Sequence, residues 1–270
     1  MHKMNSKVVV ITGGSSGIGE ALARKFASVG SKVVIGARNT DLLKAVASDI
    51  KSTGGEIVWI ETDVTIEVDC KNLILKAVDT YGQIDILINN AGISMRAIFS
   101  ELDINILKRL MDVNFWGTVY CTKYAIPYLL KQKGSVVGVA SVAGFKGLPA
   151  RSGYSASKFA MNGFMESLRI ENLNTGLHVL MAFPGFTASN IRNAALNAKG
   201  EMQGESPREE SEMMTAEKVA KHICIAVRKR KSRLILSKEG RVIHFLNNLF
   251  PDLLNRIIFK QMAKEADSPF

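Results

Sequence analysis

The chain has 270 residues, of which 47% are hydrophobic and 22% charged, and its net charge is +10 at neutral pH. That apolar content excludes general disorder, and three cysteines with no Cys-x-x-Cys spacing exclude a disulfide framework or a zinc ribbon. No run of about 18 apolar residues occurs, and no leader-like segment precedes the first strand, so a soluble, cytoplasmic protein is expected. The charge is lopsided: residues 217–264 hold 12 Lys/Arg against 3 Asp/Glu. An anionic partner is implied for that part. No helix-turn-helix, zinc finger or aromatic–basic platform accompanies it, which argues against nucleic acid.

Taken in order, Val8-Val9-Val10-Ile11 reads as a buried strand that runs into glycines. Ile18–Val29 reads as a helix, with Ile18, Leu22 and Phe26 on one face and Gly30 just beyond its end. Strands at 33–35 and 57–60 alternate with helices at 42–50 and 70–78, and a fourth strand is expected at 84–88. A long helix over 104–130, a strand at 135–139, a helix over 155–173 and a strand at 179–182 follow. This alternation predicts an α/β fold of Rossmann type: a doubly wound parallel sheet in three α/β/α layers. Residues 188–214 are polar and follow a strand end, which suggests a lid; a plain surface insertion is the competing reading. A helix near 216–227 and a short strand near 234–236 complete a first unit over 1–238, with a helical extension over 239–270.

Thr12-Gly13-Gly14-Ser15-Ser16-Gly17-Ile18-Gly19 joins the first strand to the first helix. Glycines there allow a sharp turn and close backbone approach, while the helix start offers unpaired N–H groups and a positive dipole end to phosphates. The strand–turn–helix context raises this above a bare glycine-rich turn. The second strand ends in Ala37-Arg38. An acid at this point would bind a ribose 2′-hydroxyl, whereas a guanidinium suits a 2′-phosphate. NADP(H) is therefore favoured over NAD(H), against the reading of Arg38 as a solvated loop arginine.

Tyr154 and Lys158 stand at i and i+4, on one helix face. A free tyrosine titrates near 10, and a neighbouring cation that stabilises the phenolate makes it a usable acid–base. Ser141 follows a strand, where its hydroxyl meets the ligand crevice. Alone, Tyr-x3-Lys is common helix surface. Downstream of the glycine loop and Ser141, it reads as a catalytic pair. The four histidines are scattered and suggest no metal site.

With these elements in place, the sequence resembles the short-chain dehydrogenase/reductase family. The resemblance rests on Thr12-Gly13-x3-Gly17-Ile18-Gly19, Asp63-Val64, Asn89-Asn90-Ala91-Gly92, Asn114, Ser141, Tyr154-x3-Lys158 and Pro184-Gly185, over about residues 7–190. It implies hydride transfer between NADP(H) and a carbonyl or alcohol substrate, with Ser141 orienting the carbonyl and Tyr154 as general acid/base. Lys158 would also hold the nicotinamide ribose, and Asn114 would anchor a water leading from Lys158 to solvent. Gly13, Ser15, Ser16, Gly17, Ile18 and Gly19 would cradle the pyrophosphate, with Arg38 at the 2′-phosphate. Asp63 and Val64 would flank the adenine, and Asn90, Ala91 and Gly92 would face the cofactor. Pro184, Gly185 and Thr187 would border the carboxamide. Asn89 would be structural. The family's frequent second cation inside the loop is replaced by Ser15 and Ser16.

Phe145, Leu148, Phe183 and Phe186 suggest an apolar pocket and a lipophilic ketone or secondary alcohol, with a sterol, quinone, acyl thioester or small carbonyl as alternatives. A cofactor-binding regulator without turnover, or a lipid-surface protein, is disfavoured by the complete catalytic set. The resemblance also implies a homodimer or homotetramer through the helices at 104–130 and 155–173. In the basic tail, Val242, Ile243, Leu246, Leu249 and Phe250 fall at helical spacing, and Pro251 separates them from Leu253, Leu254, Ile257, Ile258 and Phe259. Packing on the core, on a partner subunit or over the pocket is the first expectation for these faces. Peripheral membrane contact through 241–264 is the second.

Overall fold

Every residue of Val8–Thr12 (β1) is buried, as a strand covered on both faces requires. It pairs in parallel with Lys32–Ala37 (β2) on one side and Ile86–Asn89 (β4) on the other. Ile57–Glu61 (β3), Ser135–Val139 (β5), His178–Phe183 (β6) and Arg233–Ile235 (β9) extend the sheet to seven strands in the order β3-β2-β1-β4-β5-β6-β9. The doubly wound parallel sheet expected from the alternation is thus present. The computed structural model describes residues 4–188, 191–204, 213–264, 268 and 270.

Helices cover both faces. Gly17–Ala27 (α1), Thr40–Ser52 (α2) and Ala216–Arg228 (α7) enclose one core, in which Leu22, Phe26, Ile35, Leu43 and Val219 have no exposed surface. Glu67–Tyr81 (α3), Gly117–Lys131 (α5) and Ser152–Glu171 (α6) enclose the other, around Leu73, Leu87, Leu129, Met161 and Phe183. Cys70 and Cys121, distant in sequence, meet in this second core as free thiols. The hydrogen bond between them, then burial, pushes the Cys121 thiol well up. His178 is a satisfied core residue, with one ring nitrogen 3.0 Å from Ser135 Oγ and the other 2.9 Å from the Lys231 carbonyl.

Several boundaries differ from those expected. β4 begins at Ile86 because Asp85 is turned into other work: its carboxylate accepts from Lys7 Nζ (2.7 Å), the Val8 amide (2.9 Å) and Gln83 Nε2 (2.7 Å). The long helix over 104–130 is interrupted: Ile104–Met111 (α4) passes through a π-helical turn at Asp112–Trp116 into α5. A π turn carries one extra residue and re-aims the side chains it contains; here it places Asn114. The Tyr-Lys helix begins at Ser152, so Tyr154 lies in its first turn.

Only part of 188–214 can be compared with the expected lid, since 189–190 and 205–212 lie outside the described residues. Thr187–Ala188 (β7) pairs in parallel with Met214–Thr215 (β8). Between them, Ala195 and Leu196 are buried, and Leu196 packs with Met95, Ile106 and Leu110. The segment therefore has apolar anchors that its polar composition hides.

Pro251 separates two helices as expected, Lys238–Leu249 (α8) and Pro251–Met262 (α9). Their apolar residues divide between two directions. Leu254, Ile258 and Met262 are buried and pack with Ile243, Leu246 and Leu148, whereas Val242, Phe245, Leu249, Leu253 and Ile257 are exposed.

Candidate active site

The sheet order reverses between β1 and β4, and ligands of open α/β sheets sit at such a switch point, beyond the carboxyl ends of the strands. Here Thr12 Oγ1 accepts from the amides of both Asn90 and Ala91, each at 3.0 Å. Asn90 Nδ2 in turn donates to the carbonyls of Thr12 (3.0 Å) and Gly13 (3.2 Å). The turn after β4 is thereby clasped to the glycine loop.

At its glycines the loop has no room for side chains. At Gly13, φ is +66° and a Cβ would lie 2.9 Å from Ala91 Cα. At Gly19 a Cβ would lie 1.9 Å from the Gly13 carbonyl oxygen. Ser16, the N-cap of α1, makes no side-chain capping bond to the helix. The first-turn N–H groups of α1 thus lack the usual hydroxyl partner on the side where the cleft opens, an arrangement suited to an anion.

A cleft of about 430 Å³ runs from this loop across the strand ends. Gly13, Ser15, Ser16, Gly17, Ile18, Arg38, Asp63, Val64, Asn90, Ala91 and Gly92 line it, followed by Ser141, Tyr154, Lys158, Pro184, Gly185 and Thr187. Among the expected catalytic and cofactor-binding residues, only Gly19 and Asn114 do not line it. Gly19 packs α1 against the loop, and Asn114 stands behind Lys158. Arg38 is exposed at the end of β2, at the cleft rim. Asp63 accepts from Thr65 through Oδ1, at 3.0 Å from its amide and 2.8 Å from its hydroxyl, which fixes the turn that presents Val64. Asn89 faces away from the cleft and donates to Thr122 Oγ1 at 3.0 Å, a structural role. These residues fit an extended dinucleotide: a backbone cradle at the middle, a cation at one end and polar groups at the other.

Ser141, Tyr154 and Lys158 converge at that second end. Ser141 Oγ accepts from the Ala143 amide at 3.3 Å and is a hydrogen-bond partner of the Tyr154 phenol. Lys158 is buried beneath them, its Nζ donating to the Val139 carbonyl at 3.1 Å and lying 5.9 Å from the Tyr154 ring centre. Burial lowers the Lys158 ammonium to about 8. Burial also raises the Tyr154 phenol, opposed by the Ser141 hydrogen bond and by the charge of Arg151. The lysine expected to depress the tyrosine thus has its own charge weakened by the same desolvation, and a different cation acts on the phenol.

Asn114 has its side chain fully engaged: Oδ1 accepts from the Ile93 amide (2.9 Å), and Nδ2 donates to the Ile93 carbonyl (3.0 Å) and Ser157 Oγ (2.8 Å). The side chain ties the π turn to the loop after β4 and to α6, and has no donor left for a water. A Cβ at Gly92 would stand 3.0 Å from Asn114 Oδ1 and 3.2 Å from Lys158 Nζ, so the chain passes tightly between them.

The substrate side departs from expectation. Leu148 and Phe186 line the cleft, with Ile93, Val113 and Ile191. Phe145 and Phe183 do not: Phe183 is wholly buried and Phe145 packs edge-on against it at 5.1 Å. Two buried arginines stand there instead. Arg151 donates to Ser94 Oγ (3.4 Å) and the Met95 carbonyl (3.3 Å), and Arg192 to the Thr187 carbonyl (2.9 Å). Neither was legible as a site residue, because the partners of Arg151 lie some fifty positions upstream and Arg192 sits in a polar stretch without periodicity.

Comparisons with known proteins identify the family and the fold. The model of the short chain dehydrogenase family matches residues 7–200. An Arabidopsis thaliana protein, 11-beta-hydroxysteroid dehydrogenase-like 4A, is 37% identical over 255 residues, which is 94% of this chain and 84% of that one. Among solved structures, a short-chain dehydrogenase/reductase from Burkholderia phymatum in complex with NAD superposes with a TM-score of 0.84 at 24% identity, covering 94% of this chain and 96% of the other. An alcohol dehydrogenase from the archaeon Thermococcus sibiricus, complexed with 5-hydroxy-NADP, superposes with a TM-score of 0.74 at 23% identity, covering 86% and 96%. The chain belongs to the short-chain dehydrogenase family of oxidoreductases.

Proposed function

We propose that this chain is an NADP(H)-dependent oxidoreductase acting on a lipophilic ketone or secondary alcohol, with Tyr154 as general acid/base. The observation that carries the reading is the meeting of Ser141, Tyr154 and Lys158 at one end of a cleft whose other end holds the glycine loop and Arg38. A nicotinamide dinucleotide bound along this cleft supplies the hydride. In reduction, Ser141 Oγ and Tyr154 Oη hold the carbonyl oxygen, and the phenol gives its proton to that oxygen as negative charge gathers there. In oxidation, the same oxygen of Tyr154 takes the proton back. Ser141 and Arg151 favour the phenolate, and Lys158 offers its ammonium to a ribose hydroxyl. Asn114 positions Lys158 and the π turn through its contacts with Ile93 and Ser157.

The choice of NADP(H) rests on Arg38, an exposed guanidinium at the end of β2 with Ala37, not an acid, beside it. Lipophilicity of the substrate rests on Ile93, Val113, Leu148, Phe186 and Ile191, and a hydroxysteroid, the class in the Arabidopsis relative's name, is such an alcohol. A symmetric dimer is part of the same reading. Trp116 at the junction with α5, and Phe159 and Ile170 on α6, are large apolar side chains left exposed on the helices expected to pair.

Tyr154→Phe removes only the proton donor, so turnover is expected to fall by about 10²–10⁴-fold while NADPH titration still saturates. Near-normal kcat in this variant would overturn the mechanism. Arg38→Ala is expected to raise the Kd for NADPH by roughly tenfold or more and to leave that for NADH little changed, the loss being that of a charge-assisted phosphate contact; equal effects on both would refute the cofactor assignment. Arg151→Met takes a cation from beside the phenol, which disfavours the phenolate and raises its pKa. The pH profile of alcohol oxidation, which needs the phenolate, is then expected to move to higher pH, and an unmoved profile would show that Arg151 acts only as a structural prop. Sedimentation at micromolar concentration is expected to show a dimer that Trp116→Glu with Phe159→Glu converts to monomer; a monomeric wild type rejects that interface.

A further inference from the structure

We infer that the exposed ridge of α8 and α9 is a docking surface for the interface of an anionic phospholipid bilayer, placed beside the mouth of the substrate cleft. On α8, Val242, Phe245 and Leu249 follow one another at i, i+3 and i+7 and are 56%, 63% and 55% exposed. Phe250 at the bend, then Leu253 and Ile257 on α9, continue the ridge at 55%, 55% and 46%. Aromatic and aliphatic side chains exposed to this extent in such a row are unusual on a monomer's surface and mark a contact site. The residues on the inward faces, Leu254, Ile258 and Met262 on α9 with Ile243 and Leu246 on α8, form a small core between the two helices. The outward row is therefore surplus to folding.

Charge identifies the occupant. Across 238–264 the exposed cations are Lys238, Arg241, Arg256, Lys260 and Lys264, and the exposed acids are Glu239 and Asp252. Arg256 and Lys260 fall on the same outward arc of α9 as Leu253 and Ile257, within two turns, and Lys264 lies just past the helix end. Apolar side chains sunk between long cations is the pattern of a helix lying in a lipid headgroup layer, with the cations at the level of anionic phosphates. A second copy of this chain would bring the same cations against themselves, which disfavours a self-complementary contact here. Among the described residues no helix is long and apolar enough to cross a membrane, so the contact is peripheral.

The hairpin is also joined to the cleft. Leu148, which lines it, packs against the inward face of α9. Lys146, two residues earlier, donates to Asn247 Oδ1 (2.9 Å) on α8 and to Asn255 Oδ1 (2.6 Å) on α9, and so pins both helices to that loop. Ser237, the N-cap of α8, lies where a Cβ on Gly185 would come within 2.8 Å of its hydroxyl. A bilayer under the ridge would thus lie next to the cleft mouth, and delivery of substrate from it rests on the lipophilic-substrate reading above; the docking itself does not.

The test is co-sedimentation of the full chain with vesicles of phosphatidylcholine alone and of phosphatidylcholine with phosphatidylglycerol, at low and high salt. Binding is expected on the anionic vesicles at low salt and is expected to fall with added salt. Each cation removed should weaken it by roughly five-fold, so Arg256→Gln with Lys260→Gln should lose about 25-fold. Phe245→Ser with Leu249→Ser should lose binding while keeping turnover of a water-soluble carbonyl in solution. Absence of wild-type binding to anionic vesicles, or binding unchanged in both double variants, would overturn the proposal. So would a dimer that the Phe245/Leu249 variant dissociates while its vesicle binding stays intact, because a second copy would then be the occupant. Vesicle binding needs no turnover, so a chain that docks but reduces no carbonyl would sink the oxidoreductase reading alone.

Discussion

One hydroxyl holds the place on which the site depends. Thr12, the last residue of β1, receives two backbone N–H groups from the turn after β4, and Asn90 answers with two bonds back to the glycine loop. A parallel sheet that winds outward in two directions leaves a gap at the switch point. This gap has to stay open to ligand yet remain rigid, and four short-range polar contacts achieve that without a bulky side chain. The glycines then follow from geometry. With the two loops drawn together, the nearest atom that a Cβ would meet at Gly13 and at Gly19 is backbone, and backbone cannot step aside.

Around this clasp, the electrostatics of the end that holds Ser141, Tyr154 and Lys158 are set by burial more than by pairing. Lys158 is buried with a carbonyl oxygen as its hydrogen-bond partner, and its ammonium is weakened to about 8. Tyr154, desolvated beside it, is held protonated. Desolvation disfavours each charged form, whichever its sign. A charged ligand entering the cleft changes the field that both groups feel, and Arg151 and Ser141 already bias the phenol towards release.

Much of this was legible in the sequence, and the parts that were not share a cause. The β-branched runs, the glycine loop, Arg38 and the Tyr-x3-Lys spacing are local patterns, and the structure brings their residues to one cleft. Asn114 was found through the family pattern, but its side-chain bonds to Ile93 and Ser157 were not, because the π turn that directs it inward has no signature in hydropathy. Phe145 and Phe183 were assigned to the pocket from type and position alone; which side of a strand end a phenylalanine takes is decided by the helix packed there, and both went to the core. Arg151 precedes the catalytic helix by a single residue, yet nothing local distinguishes it from a solvated arginine. Its burial is created by Ser94 and Met95, from another loop.

The C-terminal helices show the same limit from the other side. Their amphipathic spacing was plain, and it admitted two outcomes, packing inward or facing a membrane, that a helix with one apolar stripe cannot both satisfy. These helices have wider apolar arcs than one stripe. Ile243, Leu246, Leu254 and Ile258 turn inward towards Leu148, while Val242, Phe245, Leu249, Leu253 and Ile257 turn out. A sequence under pressure only to fold would be expected to place polar residues on the second arc, since exposed apolar side chains add nothing to stability and invite association. That the arc is apolar, is accompanied by cations and is fastened to a cleft-lining loop through Lys146 makes packing and surface contact compatible. The inward face secures the hairpin to the fold, and the outward face stays exposed.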